Sequence, residues 1–293
     1  MSTSSSRPSI RHSQNFLHDP ALVTRLLDKC HLEPDDVVYE IGPGKGILTE
    51  QLARRCGRVV AIEKDPCLAE QLARRFAAQP NVTIHRGDFL DYHLPRAPYK
   101  VVANIPFNIT ADIVTKLTSA ACPPDDAYLV MQREAADMLL GTPRTSLRAT
   151  LLSPWFETEI VHRFRRTDFM PAPRVDVVML RMRKRGPPLV SRRDEQCFRD
   201  FVVYVFTAWQ PTIGTTLTSL FTPHQLRYVR TELGLDLDRT PTSIPFEQWL
   251  RLFEYFMTVR DNRAMQAIAG SEHRLLRQQQ RLQKIHRTRA CTT

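Results

Sequence analysis

Val37-Val38-Tyr39-Glu40-Ile41-Gly42-Pro43-Gly44-Lys45-Gly46 is the stretch on which the reading of this chain turns. A short apolar run that stops at glycines predicts a buried strand ending in a tight turn. Ile47, Leu48 and Leu52 then recur at helical spacing, so the unit reads as strand, glycine turn, helix. Glycines at a strand end let the backbone approach a ligand closely, and the amides that open the next helix point the same way. The spacing is G-x-G-x-G rather than the full dinucleotide fingerprint, because Ile47 stands where the last glycine would be. It is not a phosphate loop either, since Gly46 rather than Ser or Thr follows Lys45. Taken alone, the glycines could form a tight turn with no ligand. Glu63 adds to them: it closes the next apolar run 21 residues beyond Gly42, where a carboxylate suits a ribose diol.

The alternation continues outward. Residues 67–76 read as a helix with Leu68, Leu72 and Phe76 on one face. Residues 82–85, 99–103 and 127–131 read as further strands, with a helix over 109–117. Strands alternating with helices predict a parallel α/β sheet with right-handed crossovers. Residues 159–164 and 177–182 are expected to close it as an antiparallel pair. Arg185-Gly186-Pro187-Pro188 is a linker signal, and the segments beyond it (192–208, 223–233, 246–261) have helical spacing. The expected organisation is an α/β domain over 1–186 with 1–12 flexible, a helical domain over 187–270, and a basic disordered tail over 271–293.

Composition narrows the function classes. The chain has 293 residues, 42% of them hydrophobic and 25% charged, which excludes wholesale disorder. Its longest apolar run, residues 201–209, is about nine residues against the roughly 20 a membrane span needs. The N-terminus lacks the apolar region of a secretory signal, so a cytoplasmic location is expected. Six cysteines at 30, 56, 67, 122, 197 and 291 include no C-x-x-C pair, which predicts reduced thiols and no metal site. The net charge of +10 points to a polyanionic partner. Between Ile160 and Arg193 ten basic residues (163, 165, 166, 174, 181, 183, 184, 185, 192, 193) face Asp168 and Asp176 alone. Arg163, Arg165, Arg166 and Arg174 are the candidate RNA contacts, with 163 and 165 expected on one strand face and 166 on the other. A solvated surface is the plain alternative for such a charge run.

Two further strand ends carry chemistry. Gly87-Asp88-Phe89 offers a carboxylate that can accept from an adenine amino group, with Phe89 beside the ring; the bland reading is an Asx-turn at Asp88. Asn104-Ile105-Pro106-Phe107 is the sharpest signal. An exocyclic aromatic amine is a poor nucleophile because its lone pair is delocalised into the ring. A site that alkylates it should accept hydrogen bonds from both its hydrogens and hold the ring on an aromatic face. The Asn104 oxygen and a backbone carbonyl near Ile105 or Pro106 can do the first, and Phe107 the second.

With these pieces assembled, the chain resembles the rRNA adenine-N6 methyltransferases, and within them the erythromycin-resistance (Erm) methyltransferases of 23S rRNA. The matching residues are Ser13-Gln-Asn15-Phe-Leu17, Glu40-Ile-Gly-Pro-Gly-Lys-Gly46, Glu63, Gly87-Asp88, Asn104-Ile-Pro-Phe107, Gln132-Arg-Glu-Ala135 and Phe169-Met-Pro-Ala-Pro-Arg-Val-Asp176. The resemblance implies a Rossmann-like methyltransferase domain with a small C-terminal all-helical domain, and S-adenosylmethionine as methyl donor. It places donor contacts on Asn15, Leu17, Gly42, Glu63, Asp88 and Asn104, to which the reading of the residues adds Gly44 and Phe89, with Asn104, Pro106 and Phe107 as the candidate target contacts. It implies 23S rRNA as partner before full 50S assembly, a monomer, no membrane, and resistance to macrolide, lincosamide and streptogramin B drugs.

The sister branch, the housekeeping small-subunit dimethyltransferases, typically carries N-L-P-Y and a Pro-Pro-Pro-Lys-Val run. Ile105 and Pro171-Ala-Pro173-Arg-Val175 depart from that, as does Trp209-Gln-Pro-Thr-Ile-Gly-Thr-Thr-Leu217 in the tail. Phe107 stands where Tyr is commoner in both branches: stacking survives, and any role for a phenol hydroxyl does not. A non-catalytic RNA-binding assembly factor is the third reading, and intact Gly42, Glu63, Asp88 and Asn104 argue against it.

Overall fold

The computed structural model describes residues 15–208 and 210–289. The expected flexible segment 1–12 and the last four residues lie outside that range. The chain divides into two compact units, Met1–Asp137 with Phe156–Arg185, and Met138–Trp155 with Gly186–Thr293.

In the first unit β1 (Phe16–Leu17) leads into α1 (Pro20–Leu27). Asp19 caps α1 by accepting from the Ala21 amide, with Pro20 at its first turn. Then follow, in chain order, β2 (Val37–Ile41), α2 (Ile47–Ala53), β3 (Arg58–Glu63), α3 (Pro66–Arg75), β4 (Val82–Arg86), β5 (Lys100–Asn104), α4 (Thr110–Thr118), β6 (Asp126–Gln132), α5 (Arg133–Leu140), which runs across the unit boundary, α6 (Leu147–Leu152), which belongs to the second unit, and then β7 (Phe156–Arg163), β8 (Phe169–Met170) and β9 (Val177–Lys184) of the first. Seven strands form one sheet in the order β4-β3-β2-β5-β6-β9-β7. The first five run parallel, and β9 lies antiparallel to both β6 and β7. This is the predicted α/β sheet with its antiparallel close. Parallel strands need apolar residues on both faces, and β6 is accordingly buried over six of its seven residues. At the rim Arg181 of β9 donates to the Asp126 carboxylate over 2.6 Å and lies over the Tyr128 ring.

The second unit adds α7 (Glu195–Thr207), α8 (Ile213–Leu217), α9 (Pro223–Thr231), α10 (Phe246–Val259), α11 (Asn262–Ile268) and α12 (Ser271–Arg289). Its core gathers Phe198, Phe201, Trp249, Phe253 and Phe256. Two features differ from the sequence reading. Residues 138–155 group with the helical unit rather than the α/β domain, because Leu147, Leu151 and Trp155 pack against that helical core. The polar segment from 271 onward, expected to be disordered, is helical through Arg289. Asp200 of α7 accepts the Gly270 and Glu272 amides at 3.0 and 2.9 Å, and Arg199 grips the Glu272 carboxylate at both oxygens. A remote carboxylate thus caps the helix start that its own sequence leaves uncapped.

Candidate functional site

The sheet order reverses at β2. The chain passes from β2 outward to β3 and β4, then returns to place β5 on the other side. A crevice outside the carboxyl ends of such strands is where α/β sheets bind ligands. The strand ends at this edge carry Gly42, Glu63, Asp88 and Asn104, four residues singled out from sequence.

The glycine turn is shaped by backbone and by close approach. Gly42, Gly44 and Gly46 all have positive φ, which side chains disfavour. A Cβ on Gly44 would lie 2.5 Å from the Phe16 ring, and one on Gly46 would lie 2.7 Å from Leu72. Glu63, almost fully buried, binds this turn: one oxygen accepts from the Gly44 amide at 3.0 Å and the other from the Asp65 amide at 2.8 Å.

Glu40 lies just before the turn at 1% exposure. Its Oε2 accepts a 2.6 Å bond from the Thr49 hydroxyl, and its Oε1 has no hydrogen-bond partner among the described residues. Burial pushes its pKa from 4.5 up to about 8, with the Glu63 charge adding and Thr49 opposing. The carboxyl therefore enters the fold neutral. Such a group stabilises the fold fully below its unfolded pKa, and that contribution fades as pH rises through about 8. The melting temperature should fall between pH 6 and 8.5 in the native protein and stay flatter in Glu40→Gln. Equal slopes in melts across that range would remove this account of Glu40.

Asn15, Phe16, Gly42, Asn104, Ile105, Pro106 and Phe107 line a cavity of about 20 Å³, room for little more than one water. The strap that closes it is β1, paired antiparallel with β8 and tied further by His18 to the Thr167 carbonyl at 2.9 Å. The Asn104 amide group donates to the Asn15 carbonyl at 2.7 Å, which leaves the side-chain oxygen to accept. The Pro106 carbonyl is engaged by the Ile109 amide. Phe107 opens a 3₁₀ turn, half-buried at the cavity wall. Leu17 is turned into the core beneath the strap.

Asp88 forms the Asx-turn considered at the outset, accepting from the Leu90 amide at 2.9 Å. Its other oxygen pairs with Lys64 at 2.6 Å, a bond that lowers the carboxyl's pKa. Phe89 departs from expectation. Its ring is in the core with the Lys116 ammonium 5.7 Å from its centroid, so it presents no face to a purine.

The basic band also resolves differently. Strand β7 ends at Arg163 after a bulge between Ile160 and His162, and Arg165 and Arg166 belong to the turn that follows. The predicted alternation of 163, 165 and 166 therefore does not occur. Arg163, Arg165, Arg166 and Arg174 are all exposed, with Arg166 3.8 Å from Asp176. Arg181, Arg183, Lys184 and Arg185, by contrast, pair with Asp126, Glu159, Glu157 and Asp125 on β6, on β7 or just before β6.

Sequence reasoning gave no separate role to Phe16, Glu40 or Lys64; Phe16 and Lys64 adjoin residues it did single out, and Glu40 opens the glycine motif.

A parallel sheet with an antiparallel close, and a glycine turn and Asn-Ile-Pro-Phe at its switch point, defines an α/β enzyme that acts on a nucleotide-type ligand beside an amine. The ribosomal RNA adenine dimethylase family matches residues 6–258, and the chain belongs to it. It is 30% identical over 242 residues to the rRNA adenine N-6-methyltransferase of Bacillus licheniformis, covering 82% of this chain and 84% of that one. It is 31% identical over 260 residues to the ribosomal RNA small subunit methyltransferase A of Listeria monocytogenes serotype 4a (strain HCC23), covering 83% and 88%. Among solved structures, the 23S rRNA methyltransferase ErmE is similar with a TM-score of 0.78 and 32% identity, over 83% of this chain and all of that one. The chain is an S-adenosylmethionine-dependent rRNA adenine N6-methyltransferase. No helix among the described residues is long and apolar enough to cross a membrane.

Proposed function

We propose that this enzyme methylates N6 of one adenine in the peptidyl transferase region of 23S rRNA, and so confers resistance to macrolides, lincosamides and streptogramin B. It acts in the cytoplasm as a monomer, before the 50S subunit is fully assembled. The observation that carries the 23S reading is the likeness to ErmE across the whole of that chain. Ile105 and the Pro171-Ala172-Pro173-Arg174 run add to it. The similarity to the Listeria small-subunit enzyme supports the second reading, a 16S dimethyltransferase. Mapping methylated adenines in both rRNAs of expressing cells tests the two. A new mark in 23S rRNA together with erythromycin resistance is expected. A mark in 16S rRNA alone would overturn the proposal.

The residues present fit the donor. Gly42 and Gly44 bring no side chain of their own to the floor of the crevice, where the Phe16 ring lies on Gly44, and Glu63 and Asp88 offer carboxylates at successive strand ends. S-adenosylmethionine, when bound, supplies a methyl group on a sulfonium, electrophilic toward an amine. Glu63 would receive the ribose hydroxyls through lone pairs its two amide bonds leave over. Asn15 and Leu17 belong to the strap, whose Asn15 and Phe16 border the cavity. The adenine would enter extruded from the RNA. Asn104 Oδ1 and the Ile105 carbonyl would then accept from its amino hydrogens, Pro106 would fix the turn, and Phe107 would hold the ring. Positioning supplies most of the rate. Stacking is worth about 1–3 kcal/mol per base. Phe107→Tyr should therefore keep activity, while Phe107→Ala should lose roughly tenfold or more in kcat/KM; equal rates for Ala and native protein would refute a stacked adenine.

The exposed arginines supply the RNA track. Each phosphate neutralised contributes roughly 0.7–0.9 to the slope of log K against log salt. Replacing Arg163 and Arg165 together by Gln should weaken RNA binding and flatten that slope. Affinity for free donor should stay unchanged, because the donor residues sit on other strand ends. An unaltered salt slope would make this surface a solvated face.

A further inference from the structure

We infer that Met170 is an apolar wedge that fills the gap left in the RNA when the target adenine is drawn out of its stack. This rests on the reading of the site as one that takes an extruded adenine. A single exposed apolar side chain needs no explanation in itself; what singles out Met170 is its place. β1 and β8 form a two-residue ribbon with two unlike faces. On one face the opposed pair Leu17 and Phe169 is buried in the core. On the other face the opposed pair is Phe16 and Met170. Directly opposed residues of an antiparallel pair hold their Cβ atoms about 4.5–5.5 Å apart on the same side. Phe16 lies on Gly44 and lines the cavity together with Asn104 and Phe107. Met170 is therefore the cross-strand neighbour of a residue that lines that cavity, and it is 64% exposed.

Its anchoring and surroundings suit the task. The buried face fixes the ribbon, so the exposed side chain is presented from a rigid base. Around it in sequence stand the exposed cations Arg165, Arg166 and Arg174. Cations beside an apolar side chain are what a nucleic-acid backbone and an opened base step require together. Removing a base from its stack costs a few kcal/mol, and an unbranched thioether can fill the irregular gap it leaves. The wedge and the receiving pocket would thus be neighbours on one strap, with Met170 entering the RNA as the adenine passes to Phe107.

The test uses Met170→Ala and Met170→Leu with two hairpin transcripts carrying the adenine that mapping identifies. In the first the adenine is stacked between its natural neighbours. In the second an abasic residue replaces one flanking nucleotide, so the adenine leaves the stack at little cost. Met170→Ala should lose tenfold or more in kcat/KM on the first hairpin and threefold or less on the second, while Met170→Leu stays near native on both. 2-Aminopurine at the target position should brighten on binding native protein and stay dim with Met170→Ala. Equal losses on both hairpins would assign Met170 to the strap's own packing and overturn the wedge, as would no loss on either. If native protein methylates neither hairpin, the reading of the site fails and the wedge with it.

Discussion

Asn104→Ala is expected to lose about 10²–10³-fold in kcat, the cost of removing one preorganised partner at the atom where charge develops. The Asn104 side chain lines the cavity and is held by its amide group donating to the Asn15 carbonyl, which leaves the oxygen to accept. Alanine removes both the acceptor and the tie to the strap. Donor affinity should fall less than tenfold, since Gly42, Gly44 and Glu63 are untouched. Asn104→Asp keeps an acceptor and loses the tie, and should fall between native and alanine. Single-turnover methylation with calorimetric donor titration separates the two effects. Turnover within tenfold of native, about 1.4 kcal/mol of barrier, would remove Asn104 from the orienting role.

Glu63→Ala should act on the other half of the reaction, weakening donor affinity by about 1.5–3 kcal/mol, the range for a hydrogen bond to a charged group. The buried Gly44 amide would also lose its acceptor, so the glycine turn should loosen as well. Glu63→Gln can retain an acceptor for one amide and should be milder. With saturating donor, kcat should recover to within a few fold, which Asn104→Ala does not allow. Calorimetry showing unchanged donor affinity in Glu63→Ala would take this carboxylate out of the site.

How much of this was legible beforehand varied with the range of the interaction. The α/β class, the glycine turn, Glu63 at the end of β3 and Asn104 at the end of β5 all followed from local pattern. Apolar runs and the residues that end them are set by neighbours within a few positions. Phe89 read wrongly because a residue three places beyond a strand end can turn either to the edge or to the core, and packing beside α4 turned it inward. The alternation of Arg163, Arg165 and Arg166 failed because a bulge and an early strand end are decided by pairing with β9.

By itself, then, the sequence determined the order of strands and helices and put four chemical residues at strand ends, since period and punctuation are properties of the covalent chain. The tertiary structure alone decided which charges are free. Lys184 and Arg185 look like their basic neighbours in the sequence, yet Asp125 just before β6 and Glu157 on β7 pair with them, while Arg163, Arg165 and Arg174 stay exposed. It also decided that a tail with no apolar periodicity is helical, through a cap from Asp200 some 70 residues away. It laid Phe16 on Gly44 and left Met170 beside it in solvent. Charge pairing and capping act through space over a few ångströms, and the partners here lie tens of residues apart along the chain, where no local pattern can record them.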